Sequence, residues 1–439
     1  MDVRITPRPL SGAVTPPPSK SMSHRLLLAA ALAAGESTIH HLAFSHDIEA
    51  TIRCMEALGA QVARLDGSTI RVTGIGGQEK HFTALPHFDR GESGSTLRFL
   101  IPVALAVAGG GTFTGRGRLM DRPQKPYFDL FDEKGIFYEQ KDGVLTVRGA
   151  LPAGKYRLRG DVSSQFFTGL LFALPLAHGE STVVSTTALE SAPYITMTRD
   201  AMVRAGVPTA AEGCAFRVER TAYRSFEASV EADWSQAGFW YAAQGLGSAL
   251  TVEGMDPRSA QGDRILLDYT AMLRGEPRKG GVRAAILGEP HAQSAAPAPD
   301  RSGWTTPCVG SVSLDLSTCP DLAPPLAAWG ALLNGTLLLK NAARLRIKES
   351  DRLATITAAL RALGAEVCEE SDRLTIVGKP SLPGGTVESA NDHRIAMMAA
   401  IAATRCTGSV TIRGADCVKK SYPDFWEVYR SLGGEVDVL

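Results

Sequence analysis

The sequence has no excess charge of either sign. Its 439 residues include 46 Lys and Arg and 46 Asp and Glu, so the formal net charge is zero. Proteins that hold nucleic acid or an anionic membrane surface through bulk electrostatics carry a basic excess, which this chain does not have. Both classes of partner are therefore disfavoured, although a local basic site is compatible with the overall balance.

Paired cysteines and long apolar runs are also missing. The seven cysteines are scattered, with no C-x-x-C pair and no zinc-ligand spacing, which is typical of reduced thiols and predicts no metal site. No stretch of eighteen apolar residues occurs, and the N-terminus does not resemble a signal peptide. We therefore expect a cytoplasmic protein with a large apolar core, consistent with 44% hydrophobic residues.

The chain is dominated by an internal repeat of roughly 70 residues, present in six copies. Each copy contains an apolar helical run that opens on a polar cluster and closes near a glycine, followed by a short β-prone run, a turn and a second helix-like stretch. The second stretch ends on glycine in copies such as MEALGAQV and LRALGAEV, whereas FDEKGIFY is weaker and AMLRGEP is degenerate. The six glycines before the β-prone runs are Gly35, Gly111, Gly179, Gly247, Gly335 and Gly408.

Two helices and several strands per copy predict twelve helices in an α/β repeat protein. An open solenoid or propeller without chemistry is the alternative. The polar residues that differ from copy to copy argue for a site instead. Around residues 278–307 the repeat contains extra sequence, and we expect a mobile loop there.

Polar and cationic residues are concentrated at the starts of these helices. Helix N-termini favour anions, so convergent starts predict a site for small substrates carrying phosphate and carboxylate. Taken singly, each Ser or Asp is more often a plain helix cap, and Lys348 with Arg352 would share the exposed face of a helix. The candidates are Lys20, Ser21, Arg25, Arg122, Ser163, Ser164, Gln165, Ser191, Tyr194, Lys348, Glu349, Arg352, Arg394 and Lys420.

Nine segments in order resemble the 3-phosphoshikimate 1-carboxyvinyltransferase family of enolpyruvyl transferases: PSKSMSHR, GESGSTLRFL, DRPQKP, VSSQF, SAPYI, CPDLAPP, RIKESDRL, ANDHRIAM and KKSYPDF. The resemblance implies a two-domain inside-out α/β barrel built from six βαβαββ-type repeats. It implies one domain over residues 20–230 and a second over 1–19 plus 231–439, with the active site in the interdomain cleft.

The same resemblance implies the reaction. The chain would join phosphoenolpyruvate to the 5-hydroxyl of shikimate 3-phosphate and release phosphate, on the route to chorismate and the aromatic amino acids. No cofactor or metal is implied, and we expect a monomer.

The resemblance also implies a role for each site residue. Asp321 would accept the hydroxyl proton and Glu349 would protonate the C3 methylene, with Lys348 and Lys20 completing the catalytic set. The residues expected at shikimate 3-phosphate are Lys20, Ser21, Arg25, Ser163, Ser164, Gln165, Ser191, Tyr194, Asp321 and Lys348. Those expected at phosphoenolpyruvate are Lys20, Gly94, Arg122, Gln165, Arg352, Arg394 and Lys420.

Three positions depart from the family pattern. Glu92 and Arg344 stand where Asn is often found, and Gln236 stands where Ser is common. These departures concern substrate affinity and inhibitor sensitivity rather than the acid–base set.

Two alternatives remain. UDP-N-acetylglucosamine enolpyruvyl transferases share the fold and the donor, but they usually carry a reactive Cys before an Arg-Pro, and the loop GRGRLMDRP has none. A catalytically silent scaffold of the same fold would have lost the acid–base residues, yet Asp321, Lys348 and Glu349 are all present.

Overall fold

The computed structural model describes residues 1–78, 82–276 and 309–439. The extra loop expected at about 278–307 lies outside these residues. Contacts divide the chain into two compact units. Unit N comprises Pro17–Asp233 with Asp256–Gly262, and unit C comprises Met1–Pro16, Trp234–Met255 and the described part of Asp263–Leu439. Each unit has its own hydrophobic core.

The described chain contains helices and strands in a regular alternation. The α-helices are α1 (Lys20–Leu32), α2 (His46–Ala57), α3 (Gly94–Ala108), α4 (Lys125–Lys134), α5 (Ser164–Ala173), α6 (Ala192–Arg204), α7 (Trp234–Gly245), α8 (Leu266–Leu273), α9 (Ala323–Gly330), α10 (Arg352–Ala362), α11 (His393–Ala403) and α12 (Phe425–Ser431). The strands are β1 (Val3–Thr6), β2 (Ser11–Val14), β3 (Glu36–His40), β4 (Gln61–Arg64), β5 (Ile70–Thr73), β6 (His87–Asp89), β7 (Gly110–Thr114), β8 (Phe137–Lys141), β9 (Val144–Arg148), β10 (Lys155–Leu158), β11 (Ser181–Ser185), β12 (Ala210–Glu212), β13 (Ala215–Val218), β14 (Glu227–Ser229), β15 (Ala249–Val252), β16 (Gly310–Asp315), β17 (Gly335–Lys340), β18 (Glu366–Glu369), β19 (Leu374–Val377), β20 (Gly385–Glu388), β21 (Val410–Arg413) and β22 (Glu435–Val438).

Every repeat places its glycine-led run in a small sheet. In five sheets this strand pairs with one parallel neighbour and one antiparallel neighbour, and a fourth strand continues the antiparallel side. The fourth repeat shows only the parallel pair β2–β15, and its later part runs into the undescribed residues 277–308. Five of the six expected βαβαββ-type repeats are therefore complete in the described residues, and the fourth is described only in part. The strand orders are β14-β3-β5-β4, β6-β7-β9-β8, β10-β11-β13-β12, β15-β2, β16-β17-β19-β18 and β20-β21-β1-β22.

The first helix of each repeat is buried, as its nearly uniform apolar sequence predicts. Helices α1, α3 and α5 contribute to the core of unit N, and α7, α9 and α11 contribute to the core of unit C. Pro102 lies inside α3, whereas Pro175 follows the end of α5 in a 3₁₀ turn. In the described residues, no helix combines the length and apolarity needed to cross a membrane.

The second helix of each repeat ends in the same backbone geometry. A glycine with positive φ follows all six of these helices, a conformation in which a side chain is strained. The weak copies FDEKGIFY and AMLRGEP therefore fold like the others, with φ of 67° at Gly135 and 68° at Gly275. The remaining four glycines are Gly59, Gly206, Gly364 and Gly433.

Candidate active site residues in each unit

In unit N, Arg25 joins the buried faces of α1 and α6. The Arg25 side chain is almost wholly buried, and its Nη1 donates to the main-chain oxygen of Ser21 at 2.6 Å. Nη2 donates to the main-chain oxygen of Tyr194 at 3.0 Å, and Nε donates to Thr198 Oγ1 at 2.9 Å. Burial lowers the pKa of Arg25 to about 10, so the guanidinium stays charged at neutral pH. The structure thus brings Ser21, Arg25 and Tyr194 together around one buried cation.

Three other predicted residues, Ser163, Ser164 and Ser191, lie at the starts of α5 and α6. Ser191 is the buried N-cap of α6 and has a left-handed backbone, with φ 56° and ψ 35°. A non-glycine residue in this region costs about 1 kcal/mol, and such strain is concentrated at functional sites. Ser163 caps α5 by accepting from the Gln165 main-chain N–H at 3.3 Å, and Ser164 is the buried first residue of that helix.

Gln165 connects the start of α5 to the start of α3. Its Oε1 accepts from Arg98 Nη1 at 2.8 Å, and its Nε2 donates to Ser95 Oγ at 2.9 Å. This contact fixes the amide orientation of Gln165. Ser95 was not among the predicted site residues, because its only signal in the sequence is its position directly after Gly94.

Gly94 leaves space for a guanidinium at the start of α3. A Cβ built at Gly94 would lie 2.6 Å from Nη1 of Arg122, which is largely buried. The missing side chain therefore lets Arg122 approach the helix N-terminus, where an anion is favoured. Glu92 lies close to the turn that contains Gly117, since a Cβ built at Gly117 would be 3.1 Å from Glu92 Oε2.

Lys20 is the first residue of α1 and is held by two carboxylates of unit N. Its Nζ donates to Asp47 Oδ2 at 2.8 Å, and its main-chain N–H donates to Asp233 Oδ2 at 3.1 Å. The side chains of Lys20 and Asp47 are 17% and 13% exposed, so the ion pair is partly shielded from water. No sequence pattern predicted Asp47 at this site, since it lies 27 residues from its partner.

In unit C, Asp321 accepts hydrogen bonds from three predicted cations. Its Oδ1 accepts from Lys348 Nζ at 3.2 Å and from Arg352 Nη1 at 2.8 Å. Its Oδ2 accepts from Arg394 Nη2 at 3.2 Å. Asp321 lies in a 3₁₀ turn, Pro320–Leu322, directly before α9.

Arg352 is shared among three carboxylates. Besides Asp321, it donates from Nη2 to Glu349 Oε2 at 2.6 Å and from Nε to Asp392 Oδ2 at 2.8 Å. Arg352 is the first residue of α10, so the prediction that Lys348 and Arg352 share a helix face is wrong. Lys348 precedes the helix in extended conformation, and the two cations meet through Asp321 instead.

Lys420 and Arg394 are placed by the segment that precedes α11. Lys420 Nζ donates to the main-chain oxygen of Asn391 at 2.7 Å. Ala390 and Asn391 both have left-handed φ, 51° and 55°, which turns this oxygen toward the ammonium group. Asp392 caps α11 by accepting from the Arg394 N–H at 3.0 Å. Lys420 and Arg394 are both largely buried.

The charges of the cluster shift its protonation equilibria. Burial opposes ionisation of Asp321, but Arg394, Lys348 and Arg352 outweigh it and hold the pKa of Asp321 well below its ordinary value. Burial lowers the pKa of Lys348 against the opposing attraction of Asp321. The cluster thus keeps the Asp321 carboxylate ionised beside cations that can bind anions. Among the described residues, no group of three or more His, Cys, Asp or Glu side chains is arranged to hold a metal ion.

The contacts of Asp321 describe the chemistry of the cluster but do not by themselves identify a protein family. Comparison with known proteins identifies the family. The model of the EPSP synthase family, 3-phosphoshikimate 1-carboxyvinyltransferase, matches residues 5–429. The chain belongs to the EPSP synthase family. This match spans almost the whole sequence and includes every candidate residue named above.

Relatives of the EPSP synthase family from clostridia align along nearly the full length. A 3-phosphoshikimate 1-carboxyvinyltransferase of Clostridium kluyveri is 44% identical over 441 residues, covering 99% of this chain and 98% of the relative. One of the same name from Clostridium acetobutylicum is 40% identical over 450 residues, again covering 99% and 98%.

Solved structures agree on the EPSP synthase fold. EPSP synthase from Acinetobacter baumannii superposes with a TM-score of 0.76 at 22% sequence identity, covering 100% of both chains. The expected fold class, a two-domain inside-out α/β barrel of six repeats, is thereby confirmed.

Proposed function

We propose that this chain transfers the enolpyruvyl group of phosphoenolpyruvate to the 5-hydroxyl of shikimate 3-phosphate, forming 5-enolpyruvylshikimate 3-phosphate and phosphate. It thus serves the shikimate pathway and aromatic amino acid biosynthesis. The observation that carries the proposal is the position of Asp321 among Lys348, Arg352 and Arg394, beside Glu349. This grouping supplies a proton acceptor, a proton donor and anion-binding cations within one unit.

The reaction proceeds by addition and then elimination. The acceptor hydroxyl oxygen bonds to C2 of the donor, its proton passes to Asp321, and Glu349 protonates C3. The resulting tetrahedral intermediate loses phosphate and a C3 proton, which restores the double bond. Positive charge beside the reacting groups stabilises the charge that develops on the carboxylate and on the leaving phosphate. Neither step requires a cofactor or a metal.

Unit N supplies most of the groups proposed for the acceptor, and Asp321 and Lys348 of unit C complete the proposed set. Ser163, Ser164 and Ser191 bind the 3-phosphate at the starts of α5 and α6, where main-chain N–H groups favour an anion. Ser21 and Arg25 bind the carboxylate side of the ring, with Tyr194 beside them. Gln165, oriented by Arg98 and Ser95, contacts both substrates.

The donor is bound by residues from each unit. Lys20, Gly94 and Arg122 of unit N contact phosphoenolpyruvate, together with Arg352, Arg394 and Lys420 of unit C. We further propose that the enzyme works as a cytoplasmic monomer.

Phosphate release tests the substrates directly. Purified protein without added metal should release phosphate from phosphoenolpyruvate only when shikimate 3-phosphate is present. UDP-N-acetylglucosamine should not replace it, because the serine-rich helix starts suit a compact phosphorylated ring. Release with the UDP-sugar, or with no acceptor, would overturn the proposed acceptor, and no release in any mixture would favour a silent scaffold.

A single substitution then tests the proposed base. Asp321→Asn should lower turnover by about 100-fold, the usual scale for a general base. Glu388→Gln is a matched control, because it removes one negative charge from an exposed pair with Arg413 in the same unit. Equal turnover in the wild type and in Asp321→Asn would remove Asp321 from the mechanism.

A further inference from the structure

Asp321 occupies the cations that the donor requires. Its two carboxylate oxygens accept from Lys348, Arg352 and Arg394, and its main-chain oxygen also accepts from Arg394 Nη1 at 3.2 Å. Two of these cations, Arg352 and Arg394, belong to the proposed donor site. A donor carboxylate or phosphate therefore meets guanidinium groups that already have an anionic partner.

The pairing is strong because the groups are largely removed from water. The side chains of Arg352 and Arg394 are 1% and 5% exposed, and that of Asp321 is 17% exposed. Coulomb attraction is several times larger at such sites than between surface charges.

Formal charges within the cluster also balance. Three carboxylates, Asp321, Glu349 and Asp392, face Lys348, Arg352 and Arg394. Arg344 adds positive charge near Lys348, while its Nη2 donates to the Ser317 main-chain oxygen at 2.6 Å. The six paired groups therefore offer an incoming anion little net attraction while Asp321 remains in place.

We infer that Asp321 competes with the donor for Arg352 and Arg394, so that the donor must displace the Asp321 carboxylate in order to bind. This inference rests on the proposed function and adds to it a determinant of donor affinity. Before the donor binds, the Asp321 carboxylate pairs with the same guanidinium groups that an anionic group of the donor would bind.

Of the two aspartates that bind Arg352, Asp321 is the one that can move away more easily. Asp392 is fully buried, accepts hydrogen bonds from Arg352 at both carboxylate oxygens and caps α11. Moving Asp392 would break all of these contacts. Asp321 is more exposed and lies in a short 3₁₀ turn, so its side chain can leave the cations while Asp392 keeps Arg352 in position.

Displacement would also make Asp321 a better base. While it is paired with three cations, its pKa is held well below the ordinary range, and it accepts a proton poorly. Once the donor neutralises Arg352 and Arg394, this stabilisation of the carboxylate weakens and its pKa rises. Proton removal from the acceptor is thereby coupled to the arrival of the donor.

Binding of an unreactive donor analogue tests the competition. The probe is 2-phospholactate, which has the donor's phosphate and carboxylate but no double bond to react. Calorimetric titration, with and without saturating shikimate 3-phosphate, should show that Asp321→Asn binds it at least about tenfold more tightly than the wild type. Asparagine keeps the size of the side chain and removes the competing charge.

The control is Glu388→Gln, which should bind 2-phospholactate as the wild type does. Equal tightening in both variants would show a general effect of net charge and overturn the inference, as would unchanged or weaker binding by Asp321→Asn. The titration needs no turnover, so its result is independent of the phosphate-release test: an active wild type with no gain in Asp321→Asn refutes only the competition.

A second measurement uses the wild type alone and so does not depend on folding of the variant. A crystal structure of the wild type bound to 2-phospholactate should show the Asp321 carboxylate beyond hydrogen-bond distance of Arg352 and Arg394. An Asp321 carboxylate that still pairs with both guanidinium groups in the occupied site would contradict displacement.

Discussion

Asp392 holds Arg352 through both carboxylate oxygens, with Nε to Oδ2 at 2.8 Å and Nη2 to Oδ1 at 3.3 Å. Neither side chain has appreciable contact with solvent, the exposed fractions being 0% and 1%. The remaining nitrogen, Nη1, points at Asp321. Asp392 therefore fixes the plane of a guanidinium whose Nη1 and Nη2 also bind Asp321 and Glu349.

Removing the charge of Asp392 should be costly. Asp392→Asn leaves Arg352 with weaker compensation in a buried place, and the expected loss is about 3 kcal/mol in the free energy of unfolding. The matched control is Asp351→Asn, which changes the N-cap of α10 and a partly exposed pair with Arg346, with an expected loss below about 1 kcal/mol. Urea unfolding of both variants gives the comparison, and equal losses would contradict the role assigned to Asp392.

Gly94→Ala should impair donor binding more than folding. The new Cβ would lie 2.6 Å from Arg122 Nη1, the end of a flexible side chain that can move away. We expect the KM for phosphoenolpyruvate to rise about tenfold, equivalent to roughly 1.4 kcal/mol, with a nearly unchanged unfolding midpoint. Gly67→Ala, where a Cβ meets nothing within 4 Å, is the control. An unaltered donor KM in Gly94→Ala would separate Arg122 from donor binding.

Arg25→Lys should weaken the acceptor. Lysine cannot reproduce the planar set of bonds to Ser21, Tyr194 and Thr198, so we expect the KM for shikimate 3-phosphate to rise about tenfold or more. Arg199→Lys removes comparable bonds to Thr209 outside the candidate set and should leave both KM values unchanged. Steady-state kinetics with each substrate varied in turn decides the matter. Equal shifts in both KM values of Arg25→Lys would indicate a general structural effect.

Acid should destabilise the protein partly through Asp321. Its folded-state pKa lies below the unfolded value of about 3.9, so its contribution to stability is present above that pH and is lost as the pH falls through the folded value. The free energy of unfolding should therefore fall below about pH 4, and Asp321→Asn should lose less over the same interval. Urea titrations at a series of pH values measure both slopes; parallel curves would mean that the carboxylate is not held ionised by its neighbours.

The repeat and the ends of its helices could be predicted from sequence because both depend on local preferences. Glycine is recognisable wherever a helix must end with positive φ, and short β-prone runs after glycine identify the sheet strands. AMLRGEP shows the limit of this reasoning. Its side chains diverge from the other copies, yet Gly275 retains the backbone geometry.

Pairings between charged residues could not be predicted in the same way. Lys20 and Asp47 are 27 residues apart and Arg352 and Asp392 are 40 apart, so their contact depends on how separate helices pack. The sequence showed which helix starts carry cations, but no periodicity specifies which carboxylate each cation meets. The same reason explains the error about Lys348 and Arg352, because a spacing of four residues implies a shared face only inside a helix.

The N-terminal strand of unit C has a consequence for the order in which the chain can fold during synthesis. β1 pairs with β21 on one side and β22 on the other, so its partners are translated more than 400 residues later. All of the main segment of unit N, residues 17–233, leaves the ribosome before then and can fold as a unit. In unit C, residues 3–6 stay unpaired until the last strands emerge, so the sheet that contains β1 is the final element that translation can complete.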